Sequence, residues 1–112
     1  MRALKIAPRA AAELTALLVY SGDRFGPAAT DRYRDLISAA VDDIRDDLER
    51  FGSRTFGVRS LYPIRHSRVR LFGPKVGTPR HILMYRFTAT TLTLLRVLHD
   101  AMDLPARLTD DA

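Results

Sequence analysis

The chain is predicted to fold as an α+β domain. A small antiparallel sheet, with an N-terminal strand, carries a two-helix hairpin packed on one face, in the order β-α-α-β-(β)-β-β, the bracketed strand being optional. Three observations predict it. Apolar residues recur at three- and four-residue spacing through 9–51, the mark of amphipathic helices. Beyond Gly52 that period is lost, and two strand-forming runs, His81–Phe87 and Thr91–Leu98, flank a short polar turn. The helix pair must bury its apolar stripe, and the sheet of remaining strands is the only large apolar surface on offer. At 112 residues the chain is read as a single domain, 1–112, large enough for one core without staples.

Leu4–Ala7 is a short strand-like run that Pro8 ends, and proline suits the first turn of a helix. Ala11, Leu14, Leu17, Leu18, Ser21 and Phe25 form the stripe of a first helix. Gly26-Pro27 then stops one helix and opens the next. The second helix is the clearest element: Tyr33, Leu36, Ile37, Ala40, Val41, Ile44, Leu48 and Phe51 share one face, while Asp42, Asp43, Asp46 and Asp47 lie on others. Gly52 suits a left-handed cap at its end. Val58–Ile64 reads as a strand that Pro63 confines to an edge or an end. Val69–Phe72 reads as a further short strand, and Gly73 to Pro79 is loop by composition. Met102–Leu108 reads as an optional closing turn of helix, with Asp103 as cap and Pro105 in the first turn.

Composition narrows the function classes. There is no cysteine, hence no disulfide framework and no thiolate metal site, which fits a reducing cytosol. No apolar run reaches membrane-spanning length. The formal net charge of +5 is unevenly spread. All thirteen carboxylates lie in 13–49 or 100–111, whereas 51–99 holds nine Lys/Arg residues and all three histidines without one acid. That pattern describes either a solvated basic surface or a docking surface for phosphate or an acidic partner. His66, His81 and His99 lack metal-ligand spacing, and Gly73 and Gly77 make no phosphate-binding signature, so no metal or cofactor is expected.

Several segments, in order, resemble the ParE branch of the RelE/ParE toxins of bacterial type II toxin–antitoxin systems. They are the strand running into Pro8, Glu13-Leu14, Tyr20, Arg24-Phe25-Gly26-Pro27-Ala28-Ala29, Tyr33, Gly52-Ser53 and Arg65-His66-Ser67-Arg68. Arg80-His81-Ile82-Leu83-Met84-Tyr85-Arg86 follows, and then Leu95-Arg96-Val97-Leu98-His99-Asp100-Ala101-Met102-Asp103, the most specific match. The resemblance covers nearly the whole chain. It implies a cytoplasmic toxin neutralised by a ParD-like antitoxin, touching operator DNA only through the antitoxin complex. ParE-like members poison DNA gyrase by binding it, without catalysis by the toxin. RelE-like members are instead ribosome-dependent mRNA endonucleases, and a degenerate member would bind its partner without killing.

Each reading assigns its own residues. RNA cleavage would draw on His81, Tyr85, Arg86, Arg96 and His99, because it needs a group that moves protons and cations that hold the transition state. Against it, Asp-Ala-Met-Asp follows His99, no tyrosine lies beyond Tyr85, and the next basic residue is Arg107. Carboxylates then stand where the resemblance implies cations around a scissile phosphate. His99 read structurally is a hydrogen-bonded strand end. Target docking would instead use Arg65, His66, Arg68, Arg70, Arg80, Arg86 and Arg96. Read structurally, Arg65, Arg68 and Arg70 are charges that keep a strand edge from aggregating. Arg86 and Arg96 are then arginines of the sheet's open face, bonded to nearby carbonyls or carboxylates.

Overall fold

The computed structural model describes residues 2–47, 53–56, 58–64 and 80–99. Strand β1 (Ala3–Ile6) leads into helix α1 (Pro8–Phe25) and helix α2 (Pro27–Asp46), followed by strands β2 (Arg54–Phe56), β3 (Arg59–Pro63), β4 (His81–Phe87) and β5 (Thr91–His99). The expected parts Leu48, Phe51 and Gly52, the strand Val69–Phe72, the loop 73–79 and the closing turn Met102–Leu108 lie outside the described residues.

Pro8 opens α1, and the residue before it, Ala7, is extended, as a following proline demands. The two helices share one junction residue. Gly26 has φ 86° and ψ 173°, a region in which side-chain-bearing residues are strained. Its N–H donates to the Gly22 carbonyl at 3.1 Å, closing α1. Its own carbonyl accepts from the Thr30 N–H at 3.2 Å and the Thr30 hydroxyl at 3.0 Å, opening α2. The buried Ser21 hydroxyl lies 3.3 Å from the Thr30 hydroxyl oxygen, which can accept its hydrogen, so the hairpin bend is tied on both sides.

The strands form one five-stranded sheet in the order β1-β5-β4-β3-β2. Neighbours β2 to β5 are antiparallel, but β1 runs parallel to β5, with Ala3 opposite Thr91 and Ile6 opposite Leu94. The sheet is therefore mixed. Tight turns force antiparallel pairing only on strands they join, and nearly the whole chain separates β1 from β5. Two details differ from the sequence reading. The expected strand Val58–Ile64 is the second arm of a hairpin whose first arm is β2, and Val58 stands 80% exposed in its turn. In α1 the core-facing line is Ala10, Leu14, Leu17 and Ser21, while Ala11 and Phe25 face solvent.

The main core lies between the helices and the sheet. Leu36, Ile37, Ala40, Val41 and Ile44 of α2 meet Tyr62, Leu83, Tyr85, Leu92, Leu94 and Val97 of the strands. On the opposite face Leu61, Ile82, Met84 and Leu98 form a smaller buried cluster, with Leu95 packed against it. One irregularity sorts the side chains between the faces. Tyr85 pairs with Leu94 but Met84 pairs with Arg96, leaving Leu95 as an extra residue in β5. A bulge reverses the in–out alternation of everything after it. Hence Leu92, Leu94 and Val97 all face the helices, and Leu98 does not.

Gly26→Ala should destabilise the domain by about 1–3 kcal/mol. A Cβ there meets nothing within 4 Å, so the loss is backbone strain alone. A lower urea midpoint with an unchanged slope checks it.

Candidate functional site

β1 ends at Ile6, and the Ala7 N–H makes the last bond of that seam, to the Leu94 carbonyl at 2.9 Å. β5 continues for five residues beyond Leu94. Glu13, one turn further into α1, sits against this continuing edge. Its Oε1 accepts from the Val97 N–H at 3.1 Å, doing what a strand carbonyl would do. The Arg96 Nε donates to both carboxylate oxygens at 3.0 and 3.2 Å, and Nη2 donates to Oε2 at 2.7 Å. The Arg96 side chain is 6% exposed and that of Glu13 22%. Charge-assisted, forked geometry of this kind is the strong form of the ion pair. Arg96 is thereby committed to holding α1 on β5.

His81 and His99 stand directly opposite each other at the ends of β4 and β5. Their rings meet edge to face, with centroids 5.3 Å apart. Tyr33 of α2 closes over His81, its hydroxyl 2.6 Å from Nδ1 and its ring edge-on at 5.6 Å. The tautomer of His81 decides which of the two donates. Sequence reading placed Tyr33 in the helix stripe and among the residues of the resemblance, and did not set it beside His81. The cluster exists because the extra residue in β5 turns His99 to the helix side. Among the described residues no three His, Cys, Asp or Glu side chains gather in a way that would hold a metal.

Tyr85 is fully buried in the main core. Burial pushes its phenol above the usual 10.0, while side-chain hydrogen bonds with Ser53 and Ser60 oppose that rise. Arg86, its chain neighbour, is exposed on the other face of the sheet, and Arg80 is exposed just before β4. The five residues that RNA cleavage would use therefore do not converge. His81 and His99 sit under α2, Tyr85 is sealed in the core, Arg96 is paired inside, and Arg86 lies across the sheet. Arg65, His66, Arg68 and Arg70 lie outside the described residues.

The fold has a counterpart among solved structures. A chain of the chromosomal ParDE TA system from P. aeruginosa superposes with a TM-score of 0.66 at 16% sequence identity, covering 88% of this chain and 96% of that one. That likeness concerns the fold. No protein-family model matches the chain, and no curated protein matches it by sequence. Among the described residues no helix is long and apolar enough to cross a membrane.

Glu13→Ala should cost on the order of 3 kcal/mol, because it leaves a buried guanidinium and the Val97 N–H without their acceptor. Arg96→Met should cost less, since Glu13 is partly hydrated and keeps the Val97 bond. Equal losses in urea denaturation would show that the pair does not work as described. Tyr85 supplies a second expectation. Its folded value is raised, so its contribution is complete below the unfolded value of about 10 and lost as pH climbs through the folded value. Thermal stability should fall above pH 10 more steeply in the parent than in Tyr85→Phe.

Proposed function

We propose that this chain is the toxin of a type II toxin–antitoxin pair and that it acts by binding DNA gyrase. The observation that carries the toxin reading is the fold shared with a chain of a ParDE system over 88% of this sequence. Binding is favoured over RNA cleavage by the scattering of the cleavage candidates. Tyr85 and Arg96 are withdrawn into the interior, and Arg86 is on the opposite face from His81 and His99. General acid–base chemistry requires its groups within hydrogen-bond reach of one reacting phosphate. A binder needs only a complementary surface. The contact residues proposed for the target are Arg65, His66, Arg68, Arg70, Arg80 and Arg86, and Arg96 supports that surface from within.

The proposed neutralising partner is a ParD-like antitoxin with an acidic segment that folds on binding. Val19, Tyr20 and Phe25 offer it apolar anchors, since they stand 59%, 57% and 66% exposed along the last turns of α1. The acid-free basic stretch of 51–99 would speed the approach of an acidic segment to the domain. Cytoplasmic location follows from a gyrase target.

Induced expression tests this directly. The expected result is growth arrest with DNA-damage signalling, relieved by the antitoxin, and no ribosome-linked mRNA cuts. His99→Ala should stay toxic, whereas charge reversal at Arg65, Arg68 and Arg70 together should attenuate. A catalytic acid or base would typically be worth about 10²–10⁴-fold in rate. Discrete mRNA cuts that vanish in a folded His99→Ala protein would replace the gyrase reading with the endonuclease one. Harmless expression of folded protein would indicate a degenerate member.

A further inference from the structure

Helix α1 turns a self-complementary face to solvent. Ala10, Leu14, Leu17 and Ser21 point into the domain. Across the helix from them, Arg9, Ala12, Ala16, Val19, Tyr20 and Asp23 are exposed, and their spacing puts them on one face. A surface helix ordinarily turns charged and polar residues outward. Here the only charges on the face stand at its two ends, and Val19 and Tyr20 between them are more than half exposed.

The order of these residues is symmetric about Ala16. Arg9 lies seven residues before it and Asp23 seven after, each about two turns away. Ala12 lies four before and Tyr20 four after. Two copies of α1 packed antiparallel, with a twofold axis at Ala16, therefore set Arg9 against Asp23 of the other copy and Ala12 against Tyr20 of the other copy. Each contact is made twice. Opposite charges meet, and a large ring meets a small methyl.

The end charges also oppose the dipole of their own helix. A cation stands in the first turn of α1 and an anion in its last, the reverse of the stabilising placement. An antiparallel neighbour corrects both, because it brings an anion to the N-terminus and a cation to the C-terminus. Among the described residues Asp23 makes no ion pair. Arg9 has a further interaction within its own chain, and a guanidinium with five N–H donors can keep it while meeting a second carboxylate.

We propose that the protein pairs with a second copy of itself through α1, antiparallel about Ala16. A partner of unrelated sequence would not call for this symmetry. The contact spans about 21 Å of helix, which is small for a specific interface, so the dimer dissociates in the micromolar range. The inference goes beyond the toxin reading and does not depend on it. Where that reading holds, Val19 and Tyr20 pass from the second copy to the antitoxin, and the dimer is the form of the protein before neutralisation.

The test is sedimentation equilibrium of the full-length protein at low salt, from about 1 to 200 µM, where a reversible monomer–dimer equilibrium is expected. Ala16→Glu sets two carboxylates together on the axis and should raise the dissociation constant at least about tenfold. Its urea midpoint should stay close to the parent's, because the position is exposed. Arg9→Glu and Asp23→Arg should each dimerise about tenfold more weakly alone, since both end contacts become repulsive. Mixed in equal amounts they should form a heterodimer as tight as the parent, because every substituted position then faces its opposite charge. A parent that stays monomeric throughout overturns the proposal, whether or not an antitoxin binds this face. So does an Ala16→Glu protein that dimerises like the parent, or a mixture no tighter than its components. Circular dichroism checks the fold of Arg9→Glu, and if it is lost, Ala16→Glu and Asp23→Arg decide the matter. Growth arrest is measured separately: a harmless protein that dimerises through α1 leaves this inference standing and the toxin reading fallen.

Discussion

The seam between α1 and β5 organises this domain. A β-strand that outlasts its neighbour exposes backbone donors, and buried donors without acceptors are costly. β5 outlasts β1 because Pro8 turns the chain into a helix immediately after the strand ends. Glu13 resolves the mismatch by accepting the Val97 N–H and the Arg96 guanidinium together. One carboxylate thus completes a sheet edge, neutralises a buried cation and fixes the position of the first helix. With α1 set, the Gly26 junction directs α2 over the rest of the same sheet face.

The same region decides which residues share a surface. The extra residue Leu95 falls beside the seam, and past it each side chain of β5 changes face. Val97 joins the main core and Leu98 the smaller cluster on the far side. His99 is turned toward His81, where Tyr33 packs. The two halves of the sheet then have different characters. The helix side is closed by aromatic and aliphatic packing. The far side holds the apolar cluster at one end and exposed cations at the other. Chemistry that needs histidine and arginine together is split between these sides.

Much of the fold was legible in the residues. The Leu36-Ile37-Ala40-Val41-Ile44 stripe is buried as its spacing requires. Gly26-Pro27 breaks the hairpin where a glycine-only backbone and a proline-compatible first turn adjoin. β4 and β5 lie where their strand-forming runs do. Such features are local: each depends on the torsions of a few residues and on one apolar face. β2 was missed because Arg-Thr-Phe is too short to show a period, and it becomes a strand only through pairing with Arg59–Leu61.

The candidate site was less legible, and for a different reason. Arg96 looks like a surface cation until Glu13, distant in sequence, is brought to 2.7 Å from it. Tyr85 looks like a phenol available for chemistry until the sheet and α2 bury it. The doublet Leu94-Leu95 interrupts the alternation of β5 and is the one local hint of the bulge, but its effect on Val97, Leu98 and His99 depends on pairing with β4. The sequence by itself determined the element types, the hairpin break and the acid-free basic stretch of 51–99, because composition and short-range periodicity set these. Tertiary structure alone decided the parallel partner of β1, the pairing of Arg96 and the face on which each cation stands. Those follow from register and long-range contact, where a shift of one residue moves a side chain through the sheet.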